Sequence, residues 1–211
     1  MKRIGLTQRV EILTERNERR DCLDQNWAQL LLGLDVLPLP LLNKIEDMEN
    51  YLKELSLDGV ILTGGNDLID MEEGKNKASE RDRFEHFLIN FCSSLKLPVL
   101  GVCRGVQLLT VHYGCKVNSI DGHLTSRHKV ALDVSIFKGW PESMNVNSYH
   151  QFGIEKLALN SSLKPIAWAE DGSIEALMHK ELPIYGIMWH PEREHPYPEV
   201  DIKMIRHIFG E

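Results

Sequence analysis

The segment LPVLGVCRGVQLL, at residues 97–109, constrains the fold of this 211-residue chain more than any other. Its first half is a short apolar run typical of a buried strand, and its second half has the apolar spacing of a helix. Gly101-Val102-Cys103-Arg104-Gly105 joins the two, which predicts a sharp strand-to-helix turn with Cys103 at its tip. Glycines two residues to either side would let the helix and neighbouring strands approach closely.

Short apolar runs alternate with helical patterns through the first half of the chain. Predicted strands cover 3–8, 35–39, 59–62 and 98–102, and predicted helices cover 18–32, 45–55, 76–95 and 104–113. This alternation indicates βαβ units, so we expect a mostly parallel α/β sheet with helices on both faces.

The second half is richer in strands. They are predicted at 128–136, 145–148, 165–169, 174–178 and 184–188, with Asp171-Gly172 as a hairpin turn and a final helix at 199–209. Because the sequence contains no repeat, linker or low-complexity tract, we expect a single domain over residues 1–211.

Composition excludes several classes of function. The formal net charge of −7 argues against nucleic acid or an anionic membrane as partner, and no apolar run is long enough for a membrane span or signal peptide. We therefore expect a cytoplasmic protein with reduced cysteines. Neither the cysteines nor the histidines have a spacing that suggests a metal site, and we expect neither metal nor organic cofactor.

His190 is the predicted base for a Cys103 nucleophile. The predicted strand in ELPIYGIMWH would deliver His190 to the carboxyl edge of the sheet, beside the Cys103 turn. Glu192 could turn back and orient the imidazole, while the helix N-terminus favours a thiolate at Cys103. The alternative for a lone histidine is an ordinary surface side chain, which the combination with the Cys103 turn disfavours.

Thr63-Gly64-Gly65-Asn66-Asp67 follows a predicted buried strand. Glycines there allow the backbone to approach a substrate and point an N–H at it, and an oxyanion needs two such donors. We assign these donors to the amides of Gly65 and Arg104. Taken alone, this segment would be interpreted as a plain turn.

Together, LTGGND, GVCRGVQLL, VNSYHQF and WHPE resemble the class I glutamine amidotransferase superfamily of the peptidase C26 type, over nearly the whole chain. The resemblance implies a flavodoxin-like sheet with an added β-rich portion and a Cys103–His190–Glu192 triad. It also implies a set of residues that contact substrate: Gly64, Asn66, Gln107, Ser148, Tyr149, His150 and Gln151.

Within the superfamily, VNSYHQF and DGSIEALMHKELPIYGIMWHPE look most like γ-glutamyl-γ-aminobutyrate hydrolases. Those enzymes usually have two adjacent histidines where this chain has His150-Gln151. Their oxyanion loop usually contains a third glycine and a proline, whereas the loop of this chain reads GGNDL. The short chain and its opening TQRV…NERRDCLDQNW look more like γ-glutamyl-CDP-amidate hydrolases, which serve the phosphoramidate decoration of capsular polysaccharide.

Three arginines near the start of the chain could bind a nucleotide diphosphate: Arg9, Arg19 and Arg20. The alternative interpretation is that these arginines lie at the solvent-exposed start of a helix and bind no phosphate. The expected partner is a small γ-glutamyl substrate that can carry a nucleotide, and a homodimer is compatible with the sequence. Two other functions stay open, namely the glutaminase subunit of an amidotransferase and a non-catalytic binding protein on the same fold.

Overall fold

A nine-stranded sheet organises the fold. The structure, a computed structural model, describes residues 1–124, 126–136 and 140–210. Five parallel strands form one half of the sheet, in the spatial order β4 (Val36–Pro40), β1 (Lys2–Leu6), β5 (Gly59–Leu62), β6 (Val99–Val102) and β13 (Ile184–Ile187). Four antiparallel strands continue it beyond β13, in the order β12 (Ile174–His179), β11 (Leu163–Ala169), β8 (Ser126–Leu132) and β9 (Ser143–Ser148).

Four further strands form two small sheets, β2 (Arg9–Leu13) with β3 (Glu18–Cys22), and β7 (Asn118–Ser119) with β10 (Phe152–Gly153). The described residues form five α-helices: α1 (Asn26–Leu32), α2 (Met48–Leu55), α3 (Ser79–Leu95), α4 (Arg104–His112) and α5 (Glu199–Phe209). None of the described helices has both the length and the apolar composition that a bilayer crossing demands.

Helices cover both faces of the parallel half. Successive side chains of a strand point to opposite faces, and on β5 Ile61 joins the core beneath α1 and α5, whereas Val60 and Leu62 join the core beneath α2, α3 and α4. All four residues of β5 and of β6 are buried, as expected for central parallel strands. The predicted mostly parallel α/β sheet with a β-rich second half is therefore confirmed.

The prediction of one helix over 18–32 is wrong. Residues Glu18–Cys22 pair with Arg9–Leu13 as an antiparallel hairpin, and α1 begins only at Asn26. The reason is the apolar pattern, because ERRDC offers no face to the core, whereas Trp27, Leu30 and Leu31 of α1 are all buried. The first strand likewise ends at Leu6 rather than at 8, and Arg9 is the first residue of the hairpin strand β2.

Candidate active site

Cys103 occupies a strained turn between β6 and α4. Its φ of 53° and ψ of −105° lie where non-glycine residues rarely occur, and such strain concentrates at functional sites. The flanking glycines are required by packing, since a Cβ on Gly105 would lie 2.1 Å from the Leu62 carbonyl oxygen and one on Gly101 would lie 2.7 Å from the Gly105 backbone. The Cys103 N–H donates to the Ile187 carbonyl at 2.8 Å, which ties the turn to the end of β13.

His190 follows β13 by three residues and lies at the same edge of the sheet as Cys103. Its Nδ1 is 2.7 Å from Glu192 Oε1, and both side chains are 2% exposed. Burial lowers the pKa of His190, but the neighbouring Cys103 and Glu192 raise it more, so the pKa is about 9. The site therefore favours an imidazolium held between a sulfur and a carboxylate, as a cysteine nucleophile with its base requires.

The Gly64-Gly65 loop lies directly against this pair. A Cβ on Gly64 would be 2.8 Å from His190 Cε1 and 3.7 Å from Cys103 Cβ. Arg81 of α3 donates to the carbonyls of Thr63 at 2.7 Å and Gly64 at 3.1 Å. Because the C=O and N–H of a trans peptide point in opposite directions, the Gly65 N–H faces away from Arg81.

The two predicted oxyanion donors are both available. Among the described residues, the Gly65 N–H donates to no carbonyl or side chain, and the Arg104 N–H lies in the first turn of α4, where helix amides have no partner within the helix. Gly65 has a φ of 123°, which favours glycine. This arrangement can stabilise a developing oxyanion next to Cys103.

A buried ion network behind the loop was not predicted. The Arg104 guanidinium bonds Asp82 and Glu85 of α3, while Arg81 Nε donates to Glu85 at 2.9 Å. Burial raises the pKa of Glu85, but Arg104 and Arg81 outweigh it and the net shift is downward. In the sequence, Arg81 and Glu85 lie four residues apart and flank the apolar Phe84, which could have indicated a buried ion pair. The same spacing is equally typical of an exposed helix face.

Asn147, which contacts the His190 backbone, was also not predicted from the sequence. Its Oδ1 accepts from the His190 N–H, and its Nδ2 donates to the His190 carbonyl and to Glu194 Oε1. Tyr149 lies nearby, with its ring edge-on to His190 at 5.8 Å and the Arg193 guanidinium 4.8 Å from its centroid. Asn147 stands inside VNSYHQF, so the motif pointed to the right segment but not to this residue.

Several predicted substrate-contacting side chains have partners within the protein instead. Asn66 bonds both the N–H and the carbonyl of Val10, and Ser148 Oγ donates to the His123 carbonyl. Gln107 Nε2 donates to the Phe152 carbonyl, although its position on α4 keeps it near Cys103. Gln151 is exposed.

His150 is buried in a different cluster from the triad. Its ring lies beside His123, with 4.9 Å between the ring centroids, and its Nε2 is 3.6 Å from Glu175 Oε1. Burial lowers its pKa to about 4, so the imidazole is neutral at physiological pH. The polar atoms of His150 therefore face the protein interior, and its predicted contact with substrate stays a prediction.

A cavity of about 280 Å³ adjoins the triad. It is lined by Arg9, Cys22, Leu23, Asp24, Gln25, Trp27, Thr63, Gly64, Gly65, Glu192 and Arg193. Arg19 and Arg20 lie instead on the β2–β3 hairpin, where they pair with Glu80 at 2.5 Å and Glu18 at 2.8 Å. A larger cavity of about 510 Å³, bordered by Met71, Val111 and Phe152 among others, contains no triad residue.

Comparison with known proteins agrees with this geometry. The family model of peptidase C26 matches residues 4–192. The chain is 35% identical to a γ-glutamyl-CDP-amidate hydrolase of Campylobacter jejuni over 94% of both chains. It is also 30% identical to the glutamine-hydrolysing GMP synthase subunit of Pyrococcus abyssi, over 83% of this chain and 86% of that one.

A crystal structure of a Thermoplasma acidophilum protein, assigned as a GMP synthase subunit, superposes on the chain with a TM-score of 0.73 and 26% identity. The superposition covers 100% of this chain and 93% of the other. The fold, the Cys103 turn and the family match agree with one another. This chain belongs to the peptidase C26 family of cysteine-dependent hydrolases, within the class I glutamine amidotransferase-like superfamily.

Proposed function

We propose that the protein is a stand-alone γ-glutamyl hydrolase whose substrate is γ-glutamyl-CDP-amidate, and that it acts in the cytoplasm. The observation that carries the proposal is the buried contact of Cys103 and His190 beneath Gly64, with Glu192 2.7 Å from the imidazole. Similarity over 94% of a Campylobacter hydrolase of that name supports the substrate. The products would be glutamate and cytidine diphosphoramidate, a donor for capsular polysaccharide phosphoramidate.

The proposed reaction passes through a thioester. The Cys103 thiolate attacks the γ-carbonyl carbon, and the resulting oxyanion accepts hydrogen bonds from the Gly65 and Arg104 amides. Imidazolium His190 gives its proton to the amide nitrogen as the C–N bond breaks, which releases the amine. His190 then takes a proton from water, whose oxygen attacks the thioester carbon, and glutamate leaves with Cys103 restored.

The cavity beside the triad supports a nucleotide-linked leaving group. Arg9 and Arg193 both line it, and a guanidinium group can bind two oxygens of a phosphate at once through two parallel hydrogen bonds. Asp24 also lines the cavity and lies 3.9 Å from Arg193 Nε, so a diphosphate would compete with this carboxylate for Arg193. Gly64, which lies against Cys103 and His190, also lines this cavity, so a group bound there would be next to the triad.

Glutamate release from a panel of γ-glutamyl amides tests the proposal. Wild-type protein should release glutamate fastest from γ-glutamyl-CDP-amidate, Cys103→Ala should release none, and Cys115→Ala should retain activity because Cys115 lies outside the site. A preference for γ-glutamyl-γ-aminobutyrate would overturn the substrate assignment. Wild-type rates in Cys103→Ala would overturn the mechanism, and failure of a γ-glutamyl electrophile to label Cys103 would favour a non-catalytic binding protein.

Arg9→Met separates the nucleotide pocket from the γ-glutamyl site. We expect it to raise KM for the nucleotide substrate and to leave KM for γ-glutamyl-γ-aminobutyrate unchanged, since only the former has phosphates. Arg16→Met, an exposed change on the same hairpin, is the matched control. Equal effects of Arg9→Met on both substrates would contradict a phosphate contact.

A glutaminase subunit is the second candidate, because glutamine-hydrolysing GMP synthase subunits match at 30% identity over most of the chain. Such a protein delivers ammonia to a partner. Glutamine hydrolysis that appears only on addition of a synthetase chain would favour this function over a stand-alone hydrolase.

A further inference from the structure

Four side chains from separate parts of the chain meet in the antiparallel half of the molecule. They are His123, before β8; His128, on β8; His150, after β9; and Glu175, on β12. One donor atom from each of His123, His128 and Glu175 lies within 4.8 Å of the other two. His150 Nε2 adds a third imidazole nitrogen, 3.6 Å from Glu175 Oε1.

The polar atoms of this cluster are buried, and their contacts with one another lack hydrogen-bond geometry. His123 Nδ1, His128 Nε2, His150 Nε2 and both carboxylate oxygens of Glu175 have no hydrogen-bond partner among the described residues. Glu175 is 1% exposed, His150 4% and His123 5%. Buried polar atoms without well-formed hydrogen bonds are costly, so this cluster requires either protons shared among its side chains or a cation bound between them.

The outer nitrogens of two of the histidines are fixed. His123 Nε2 is 3.0 Å from Asp171 Oδ2, and His150 Nδ1 is 3.1 Å from the Phe152 carbonyl oxygen. With a cation bound at the inner nitrogens, these two acceptors would take the ring proton of each outer nitrogen. A histidine that binds a metal almost always donates its other N–H to a carboxylate or a carbonyl in this way.

Two nitrogen–oxygen separations have the length found between neighbouring ligands of a tetrahedral ion. With metal–ligand distances of about 2.0–2.1 Å, neighbouring ligand atoms stand about 3.4 Å apart. His123 Nδ1 is 3.3 Å from Glu175 Oε1, and His128 Nε2 is 3.3 Å from Glu175 Oε2. Three imidazoles with one carboxylate suit a divalent transition metal such as Zn²⁺ rather than Mg²⁺ or Ca²⁺.

We propose that His123 Nδ1, His128 Nε2, His150 Nε2 and the Glu175 carboxylate form a structural Zn²⁺ site, separate from the triad. Four protein ligands in a buried position leave no open coordination position for a substrate. The site would join the loop of His123 and the segment after β9 to strands β8 and β12. That segment continues from the end of β9, the strand on which Asn147 holds the His190 backbone.

Chain spacing gave no sign of this site, because the four residues lie at 123, 128, 150 and 175 without a short ligand motif. The antiparallel strands bring them together. The prediction that no metal is bound considered only spacing along the sequence, and such spacing cannot reveal residues that the fold brings together.

Metal titration of tag-free, chelator-treated protein tests the proposal. We expect one Zn²⁺ per chain by calorimetry, one Co²⁺ per chain with the visible absorption of a tetrahedral site, and a higher Tm with metal than without. Cys103→Ala should bind the metal as the wild type does, so the result is independent of the proposed hydrolase activity. Absence of stoichiometric binding, or an unchanged Tm, would overturn the site and leave a proton-sharing cluster.

Variants locate the ion. His128→Gln and Glu175→Gln should abolish stoichiometric binding. His86→Gln is the matched control and should not affect binding, because His86 pairs with His112 outside the cluster, with 2.9 Å between their Nδ1 atoms. Asp171→Asn keeps all four ligands and should weaken affinity about 10–100-fold. Asp171→Asn therefore still tests the site if the variants that lose a ligand fail to fold. Undiminished binding in both Asp171→Asn and Glu175→Gln would show that the metal binds elsewhere and overturn the proposal.

Discussion

The side-chain amide of Asn147 holds the backbone of His190 from both sides, accepting its N–H at 2.9 Å and donating to its carbonyl at 2.9 Å. Asn147 is on β9 at the outer edge of the sheet order, whereas His190 follows β13. The imidazole is therefore positioned by its carboxylate partner and, through the main chain, by a strand at the far end of the antiparallel half.

Asn147→Ala should lower kcat by about 10²-fold with little change in KM, because a misplacement of about 1 Å can cost that much while substrate contacts stay intact. Steady-state kinetics on a γ-glutamyl amide measure this effect. The exposed neighbour on the same strand gives the control, Asn145→Ala, which should behave as wild type. A rise in KM alone would show that Asn147 contacts substrate rather than positioning His190.

Glu192→Gln should make stability less dependent on pH in the alkaline range. The pKa of His190 is raised from 6.5 to about 9, so its protonated form contributes stability that is fully present below pH 6.5 and is lost as pH rises through 9. The Tm difference between wild type and Glu192→Gln should be largest at pH 6 and shrink above pH 9. A difference that grows with pH would contradict this assignment.

Gly65→Ala should lower kcat by about 10²–10³-fold, the usual cost of losing one oxyanion donor. A Cβ there would lie 2.6 Å from Arg9 Cβ and 2.9 Å from Arg81 Nη1, so the loop must shift. Gly172→Ala is the matched control, since Gly172 also has positive φ, 88°, but its Cβ would meet nothing within 4 Å. It should cost only about 1–2 kcal/mol of stability and leave kcat unchanged.

Arg81→Met should destabilise the fold by about 3–5 kcal/mol, because it breaks a buried pair with Glu85 and leaves the Thr63 and Gly64 carbonyls without their donor. Denaturant unfolding measures the loss. Arg83→Met, an exposed change on the same helix, should stay within about 0.5 kcal/mol of wild type. Equal effects from the two substitutions would mean that the buried network contributes little.

Local patterns were sufficient wherever an element's sequence matched its burial. Strand β5 and helix α5 have the predicted bounds, because a continuous apolar run and a 3.6-residue period each have one interpretation. The Cys103 turn was predictable for the same reason, since its glycines, nucleophile and flanking elements are adjacent in sequence.

Features that depend on distant partners were not predictable. Whether Arg81 and Glu85 face solvent or each other inside the protein is decided by α4, and the two possibilities have identical local sequences. Strand β3 of the hairpin (ERRDC) has no alternating apolar face, and it is defined by pairing with β2 across the Asn17 turn. The clustering of His123, His128, His150 and Glu175 likewise arises only when the antiparallel strands assemble.

Strand β13 is paired on one side with β6, in a register that sets Ile187 opposite Val102. The nucleophile follows β6 and the base follows β13, so the main-chain hydrogen bonds between these two strands bring both residues to the same edge of the sheet. The long stretch of chain between these strands leaves the parallel sheet and returns to it. Insertions, deletions or exchanges in that excursion that spare Asn147 can therefore alter which substrates are admitted, while the paired strands keep Cys103 and His190 at the same edge.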